Sequence, residues 1–159
     1  MSEWPAAVVV ASNRAAAGVY VDTTGPLIVE ALRADGWEVG DPVVVPDGEA
    51  VAAAITAAVQ AGARAVMTTG GTGLTPTDRT PEVTRELIER EVPGVAEAIR
   101  AYGAAQGVPT ASLSRGLAGV VGQAFVVNLP GSRGGVRDGL AVVVPLLRHA
   151  VEQIVGSDH

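Results

Sequence analysis

The feature that most constrains this chain is an alternation of two patterns. Short apolar runs rich in valine alternate with longer segments whose apolar residues recur at helical spacing. The first three runs are residues 6–11, 37–45 and 65–69. Apolar runs of this length, bounded by turn residues, are typical of strands buried on both faces of a sheet. We therefore predict an α/β fold in three layers, with helices on both faces of a mostly parallel central sheet.

The segments between the runs have helical signals of their own. Thr80-Pro81-Glu82 combines an N-cap residue, a first-position proline and a first-turn acid, which predicts a helix start there. Pro93-Gly94 is predicted to separate that helix from another one running to about Tyr102. Other helices are predicted from Pro26 to Asp35-Gly36, from Val51 to about Gly62, and after Pro130-Gly131-Ser132. Residues 117–121 and 124–129 predict two strands joined by a tight turn at Gly122-Gln123.

Length and composition exclude several classes of protein. The chain has 159 residues, which predicts a single domain over residues 1–159 with its own core. A net charge of −6 argues against a nucleic-acid or acidic-membrane partner, and the absence of cysteine excludes disulfides and thiol catalysis. No signal-peptide pattern begins the chain, and no apolar run approaches the roughly 20 residues of a membrane span. We therefore expect a cytoplasmic protein.

Ligands of parallel α/β sheets bind outside the carboxyl ends of the strands. The predicted strand ends carry the chain's least ordinary segments: Ser12-Asn13-Arg14, Pro46-Asp47, residues 70–79 and residues 128–132. Because parallel strands end at the same edge of a sheet, we predict that these segments meet at one rim. That rim is the candidate binding site.

The glycine-rich segment Gly70-Gly71-Thr72-Gly73 allows two interpretations. Its amides could hold phosphate, or its glycines could serve only tight packing between a strand and a helix. A P-loop is excluded because the chain has no lysine, and a dinucleotide fingerprint would need a small residue where Pro76 stands. Hydroxyls that could bond phosphate or sugar are those of Ser12, Thr69, Thr72 and Ser132, the last also a candidate helix N-cap.

Two aspartates, Asp47 and Asp78, follow predicted strands beside this loop. Taken singly, each is typical of a turn or a cap, but as a pair they fit oxygen ligands or positioners for Mg²⁺. Asp22 could be a third carboxylate or a turn residue, and Arg14 and Arg79 could neutralise phosphate or simply be exposed. No Ser-His-Asp or Cys-His arrangement is present. The residues alone therefore indicate a protein that binds a phosphorylated small molecule with Mg²⁺.

Residues 68–82 read Thr-Thr-Gly-Gly-Thr-Gly-Leu-Thr-Pro-Thr-Asp-Arg-Thr-Pro-Glu. This segment resembles the signature of the MogA/MoaB family, in which a Gly-Gly-Thr-Gly loop is followed by an aspartate and then Thr-Pro-Glu. Further matches stand in the family's order at residues 12–14, Gly18, 22–26, 45–47, 109–115 and 128–132. The resemblance covers nearly the whole chain.

The resemblance implies a molybdopterin adenylyltransferase of molybdenum cofactor biosynthesis. In that reaction the terminal phosphate of molybdopterin would attack the α-phosphate of ATP, with Mg²⁺, and release pyrophosphate. It also implies a homotrimer whose partners are its small-molecule substrates, molybdopterin and ATP.

The same resemblance implies roles for individual residues. Asp47 and Asp78 would be the catalytic residues and the Mg²⁺ ligands, and the amides of residues 70–73 would hold the nucleotide phosphates. The pterin side would be lined by Ser112, Ser114, Pro130, Gly131 and Ser132. Two residues depart from the family's usual pattern: Asn13 stands in place of an aspartate, and Arg133 in place of a small residue. Asn13 leaves an alternative open, a non-catalytic trimeric module that binds molybdopterin or a protein partner.

Overall fold

The computed structural model describes residues 4–156. Residues 1–3, at the start of the chain, and residues 157–159, at the other end of the predicted domain, lie outside the described residues. The strands are β1 (Pro5–Ala11), β2 (Glu38–Val39), β3 (Val43–Val45), β4 (Ala65–Thr69), β5 (Arg90–Glu91), β6 (Ala118–Val121) and β7 (Ala124–Leu129). The helices are α1 (Asn13–Ala16), α2 (Thr24–Ala34), α3 (Glu49–Gln60), α4 (Thr80–Leu87), α5 (Pro93–Ala105) and α6 (Arg133–Ile154), with a 3₁₀ helix at Pro109–Leu113. Within these bounds no helix is long and apolar enough to cross a membrane.

The strands form one sheet that is mostly parallel, as predicted. Its order is β2-β1-β4-β7-β6-β5, and β3 also pairs with β1. The pairs that β1 makes with β2, β3 and β4 are parallel, as is β4 with β7, whereas β6 and β5 are antiparallel additions at one edge. Helices are needed to connect the parallel strands, and this explains the alternation seen in the sequence.

Neighbouring strand residues point to opposite faces of the sheet, and each face has its own core. Val8, Met67 and Val127 face the side covered by α2, α5 and α6. Val9, Val66 and Val126 face the side covered by α3 and α4. Helices therefore cover both faces, and the predicted three-layer fold is confirmed.

The predicted strand 37–45 is wrong, because two short strands occupy this stretch. β2 pairs with the start of β1 and β3 with its end, and residues 40–42 between them leave the ladder. Pro42 has no backbone N–H to donate to a neighbouring strand, which explains the break.

Two helix predictions also need correction. Pro93 and Gly94 do not separate two helices but form the first turn of α5, where proline fits because its missing N–H would have no helical partner. The Thr80 side chain caps nothing: Arg79 holds the N-cap position, and Thr80 is the first residue of α4.

Candidate active site at the carboxyl edge of the sheet

The strand ends that carry the candidate site are level with one another. Ala11 is in register with Val45, and Thr69 is in register with both Val10 and Leu129. The structure therefore brings the four predicted segments to one edge of the sheet. At the end of β4, the Thr69 hydroxyl donates to the carbonyl oxygen of Pro130 at 2.6 Å. This bond fixes the chain after β4 against the chain after β7.

Asp47 lies directly beyond β3 and is held through three hydrogen bonds. Its backbone N–H donates to Oδ1 of Asn13 at 2.9 Å. Its own Oδ1 accepts from the backbone N–H groups of Gly48 and Arg79, at 2.7 and 3.1 Å. Asn13 provides the acceptor that an aspartate would provide at this position, without adding a negative charge beside Asp47.

Partial burial raises the pKa of the Asp47 carboxyl above its ordinary value of 3.8, and the negative charge of nearby Asp78 adds to the rise. The hydrogen bonds from the Arg79 and Gly48 amides and the charge of Arg79 oppose the rise. Asp78 thus lies close enough for its charge to repel the Asp47 carboxylate. A cation between them would relieve this repulsion.

Asp78 closes a tight turn in the loop after β4. Its Oδ2 accepts from the Thr75 N–H at 3.0 Å, and its own N–H donates to the Thr75 carbonyl at 3.0 Å. Gly73 lies against this carboxylate, since a Cβ at Gly73 would stand 2.9 Å from Asp78 Oδ2. The turn aims Asp78 back towards the glycine-rich segment.

Glycine is required for packing at two positions of the loop. Gly70 has a φ of +90°, and a Cβ there would collide with the carbonyl oxygen of Ala11. Gly71 has a φ of +71°, and its Cβ would collide with Thr80 Oγ1 and stand 2.7 Å from Asp47 Oδ2. Tight packing therefore explains Gly70 and Gly71, whichever ligand the loop holds.

The loop's amides differ in what they already bind. The Gly70 N–H donates to the carbonyl oxygen of Leu129 at 3.2 Å. No hydrogen bond among residues 4–156 engages the N–H groups of Gly71, Thr72 and Gly73. Successive free N–H groups in a glycine-rich turn are suited to an anion, so residues 71–73 are the part of the loop that can hold phosphate.

Arg115, which the sequence analysis did not single out, organises the loop from outside. Its Nε donates to the Gly73 carbonyl at 2.9 Å, and its Nη2 donates to the Asp78 carbonyl at 3.1 Å. Its Nη1 pairs with the Glu82 carboxylate, and this hydrogen bond lowers the pKa of Glu82 below its usual range. One side chain thus ties both ends of the loop to α4.

A cavity of about 190 Å³ opens beside the rim, between α5, α6 and the 3₁₀ helix. Three residues predicted for the pterin side line it: Ser114, Pro130 and Ser132. Of the other two, Ser112 is exposed on the 3₁₀ helix and Gly131 lies against Gly70. The cavity has further lining residues that were not predicted from the sequence: Ile99, Arg100, Gly103, Val108, Thr110, Ala111, Gly134, Gly135 and Asp138.

Asp138 differs from Arg100 and Ser132 in this cavity, because the side chains of those two residues already have hydrogen-bond partners. Arg100 donates to the carbonyls of Ser114 and Gly116, each at 3.2 Å. The Ser132 hydroxyl caps α6 by accepting from the Gly135 N–H at 3.0 Å. No hydrogen bond or ion pair joins the Asp138 carboxylate to any other residue that the structure describes. It is therefore available to a ligand.

Other sequence candidates have local partners. Ser12 caps α1 by accepting from the Ala15 N–H at 3.1 Å. Asp22 accepts from the backbone N–H groups of Thr24 and Gly25, at 3.1 and 3.2 Å, which fits the turn interpretation. Arg79 lies 3.9 Å from Glu49 in an exposed ion pair.

No group of three or more acidic or histidine side chains within the described ranges could hold a metal ion. Mg²⁺ often takes only one or two carboxylates from a protein, and completes its octahedron with water and substrate phosphate. The pair of Asp47 and Asp78 beside free amides fits this donor set.

The fold and this rim define an α/β protein whose site is suited to a phosphorylated ligand. The chain belongs to the family of probable molybdopterin binding domains, whose sequence profile matches residues 7–149. MogA and MoaB proteins are among its structural neighbours.

Named relatives agree with this assignment. The chain is 41% identical, over 97% of its length, to the molybdenum cofactor biosynthesis bifunctional protein of Synechococcus elongatus. It spans about half the length of such bifunctional relatives, 48% and 49% of two of them. It is 34% identical to the molybdopterin adenylyltransferase of Helicobacter pylori, over 94% of this chain and 87% of that protein.

A solved structure supports the fold over its full extent. The molybdopterin biosynthesis Mog protein from Mycobacterium ulcerans superposes with a TM-score of 0.92 at 44% identity. The superposition covers 99% of this chain and 100% of that one.

Proposed function

We propose that this protein is a molybdopterin adenylyltransferase of molybdenum cofactor biosynthesis, acting in the cytoplasm on molybdopterin and ATP with Mg²⁺. The observation that carries the proposal is the convergence at one edge of the sheet of Asp47, Asp78 and the free amides of residues 71–73. Membership of the molybdopterin-binding family and the adenylyltransferase relatives supply the substrate class.

The reaction is a transfer between phosphates and needs no covalent protein nucleophile. An oxygen of the terminal phosphate of molybdopterin attacks the α-phosphorus of ATP, the bond to the β-phosphate breaks, and pyrophosphate leaves. Catalysis of this kind depends on positioning and on neutralising charge. When bound, Mg²⁺ supplies that charge at the reacting phosphates.

The residues of this chain divide the work of positioning. Asp47 and Asp78 hold Mg²⁺ and orient the phosphates, while the N–H groups of residues 71–73 bind the nucleotide's phosphate chain. Arg115 keeps the loop in place through its two carbonyl contacts, at 2.9 and 3.1 Å. The hydrogen bonds that hold Asp47, Asp78 and the loop are made within the protein itself, so little reorganisation is needed during transfer.

The cavity beside the rim is the pterin subsite. Its walls combine apolar residues such as Ile99 and Pro130 with the free carboxylate of Asp138. A pterin ring presents two adjacent donors, the ring N–H and the exocyclic amine, which a carboxylate can accept together. Ser114 and Ser132 line the same cavity.

The alternative, a non-catalytic trimeric module that binds molybdopterin or a protein partner, rests on Asn13. Its Oδ1 accepts from the Asp47 N–H at 2.9 Å, a role that a side-chain oxygen of either asparagine or aspartate can fill. The substitution therefore gives no reason to prefer binding without turnover.

The test mixes purified protein with molybdopterin and ATP, with and without Mg²⁺, and follows adenylylated molybdopterin by chromatography and pyrophosphate by a coupled assay. We expect both products, formed in equal amounts and only with Mg²⁺. Bound pterin without either product would reject the transferase in favour of the binding module.

A further inference from the structure

Thr80 has a hydroxyl that the described part of the fold does not use. Thr80 is fully buried, and its Oγ1 has no hydrogen-bond partner within residues 4–156. Other fully buried threonines nearby are satisfied: Thr68 and Thr84 both accept from the side-chain amide of Asn128, at 2.9 and 3.2 Å. A buried polar group without a partner costs free energy, and such groups are rare enough in native proteins to need a reason.

The hydroxyl is held firmly at the candidate metal site. The Thr80 N–H donates to the Gly71 carbonyl at 3.1 Å, and Thr80 begins α4. A Cβ at Gly71 would meet both Thr80 Oγ1 and Asp47 Oδ2. The two oxygens therefore lie close together on the same side of Gly71, where the side chain of any other residue would clash with both.

We propose that Thr80 is a positioning residue for Mg²⁺: its hydroxyl hydrogen-bonds a water molecule of the Mg²⁺ ion held by Asp47. The inference depends on the proposed Mg²⁺ site and deepens it. A hydroxyl can accept from such a water and donate to a carboxylate oxygen, so one threonine can orient both the ion's hydration shell and Asp47.

A role in the metal site makes a prediction that a structural role does not. Thr80→Val keeps the shape of the side chain and removes only the hydroxyl. Because that hydroxyl has no partner in the described structure, the variant should unfold at the same or a higher urea concentration in the absence of Mg²⁺. Its Mg²⁺ affinity, measured by calorimetry with Mg²⁺ alone and again with ATP present, should fall about tenfold. Thr80→Ser should restore the affinity.

Thr84→Val is the matched control, since Thr84 lies on the same helix, is equally buried, and has its hydroxyl bonded to Asn128. It should unfold at a lower urea concentration and bind Mg²⁺ as the wild type does. Wild-type Mg²⁺ affinity in Thr80→Val would overturn the inference, whatever its stability, and so would a wild type that binds no Mg²⁺.

Adenylyl transfer by the wild type, measured in parallel, separates the two proposals. If the wild type transfers the adenylyl group and Thr80→Val binds Mg²⁺ with unchanged affinity, only the role of Thr80 is rejected. A wild type that binds Mg²⁺ through Thr80 but makes no product would reject only the transferase.

Discussion

Asp47 is joined to Asn13, Gly48 and Arg79 through hydrogen bonds and is repelled by the charge of Asp78. Burial and Asp78 together disfavour its ionised form. Such a carboxylate is destabilising when the site is empty and becomes favourable when a cation binds. We therefore expect the ionised Asp47 carboxylate to lower the stability of the folded protein when no cation is bound.

The first prediction concerns pH. The pKa of Asp47 is raised in the folded state, so between 3.8 and the raised value the folded protein holds more protons than the unfolded one. The free energy of unfolding then falls as the pH rises through this window, and the loss is complete above it. Asp47→Asn removes the titration. Without Mg²⁺, its stability relative to wild type should improve as the pH rises from 3.8 towards neutrality, as measured by urea unfolding.

Asp41→Asn is the control for losing one negative charge, since Asp41 is exposed between β2 and β3. A stability difference between wild type and Asp47→Asn that does not change with pH would contradict the raised pKa.

The second prediction concerns Asp138. In Asp138→Asn one carboxylate oxygen becomes an amide donor, which would face the donors of the pterin ring. Because a hydrogen bond to a charged group contributes about 1.5–3 kcal/mol, molybdopterin affinity should fall by roughly one to two orders of magnitude. Fluorescence titration with molybdopterin checks this. ATP affinity, which serves as the control, should not change, and a loss of both affinities would point to a damaged fold.

At the scale of elements, the loop between β4 and α4 is the part that the rest of the fold must hold in place. Arg115 holds it from a distant part of the chain, bonding the carbonyls of Gly73 and Asp78 and pairing with Glu82. The N–H groups of residues 71–73 donate no hydrogen bond among the described residues, so the loop depends on outside contacts to its carbonyl groups.

The third prediction is that Arg115→Ala loosens this loop. Amide hydrogen exchange over residues 72–78 should become faster, and the affinity for ATP with Mg²⁺ should fall several-fold. Arg85→Ala is the control, because its ion pair with Glu91, at 3.1 Å, lies near the other end of α4. An unchanged rate of amide hydrogen exchange in Arg115→Ala would show that the loop keeps its conformation without Arg115.

An element can be predicted from the sequence where the pattern of its own residues marks both its type and its ends. β4 and β7 were predicted at their observed bounds because each is a short, largely apolar run between turn residues. The stretch 37–45 misled because apolar residues stand on both sides of Gly40-Asp41-Pro42, and the prediction joined them into one strand across the point where the ladder breaks. The four-residue helix α1 was missed because it is too short to show a period.

Site residues differ in the same way. Asp47 and Asp78 could be predicted to lie at one edge of the sheet, because both follow strands that end there. Arg115 and Asp138 could not, since their importance arises only from tertiary contacts, such as the bond from Arg115 to Gly73 across 42 positions. The orphan hydroxyl of Thr80 likewise has no signal in the sequence.

At the scale of the whole molecule, the sheet with a core on each face fixes the site. Residues that alternate along β1 and β4 enter opposite cores, so a shift of one residue in register would exchange both cores at once. The edge that carries Asp47 and the glycine loop is therefore set by the packing of the entire sheet.

The fourth prediction is the homotrimer implied by the family. Three consecutive apolar residues, Val19, Tyr20 and Val21, are 68%, 51% and 80% exposed, which is unusual for a surface that stays in water. Light scattering after size exclusion should give the mass of three chains, and Val21→Asp should lower it. A wild-type mass of one chain at assay concentrations would contradict the prediction.

The most direct test of the central claim compares wild type, Asp47→Asn and Asp78→Asn in a single turnover with molybdopterin, ATP and Mg²⁺. Pterin binding is measured in the same samples. Removal of either carboxylate should lower the rate of formation of adenylylated molybdopterin by at least about a hundredfold, given what such charge-positioning groups contribute. Pterin binding should remain. Wild-type rates in both variants would contradict the account and place the chemistry away from this rim.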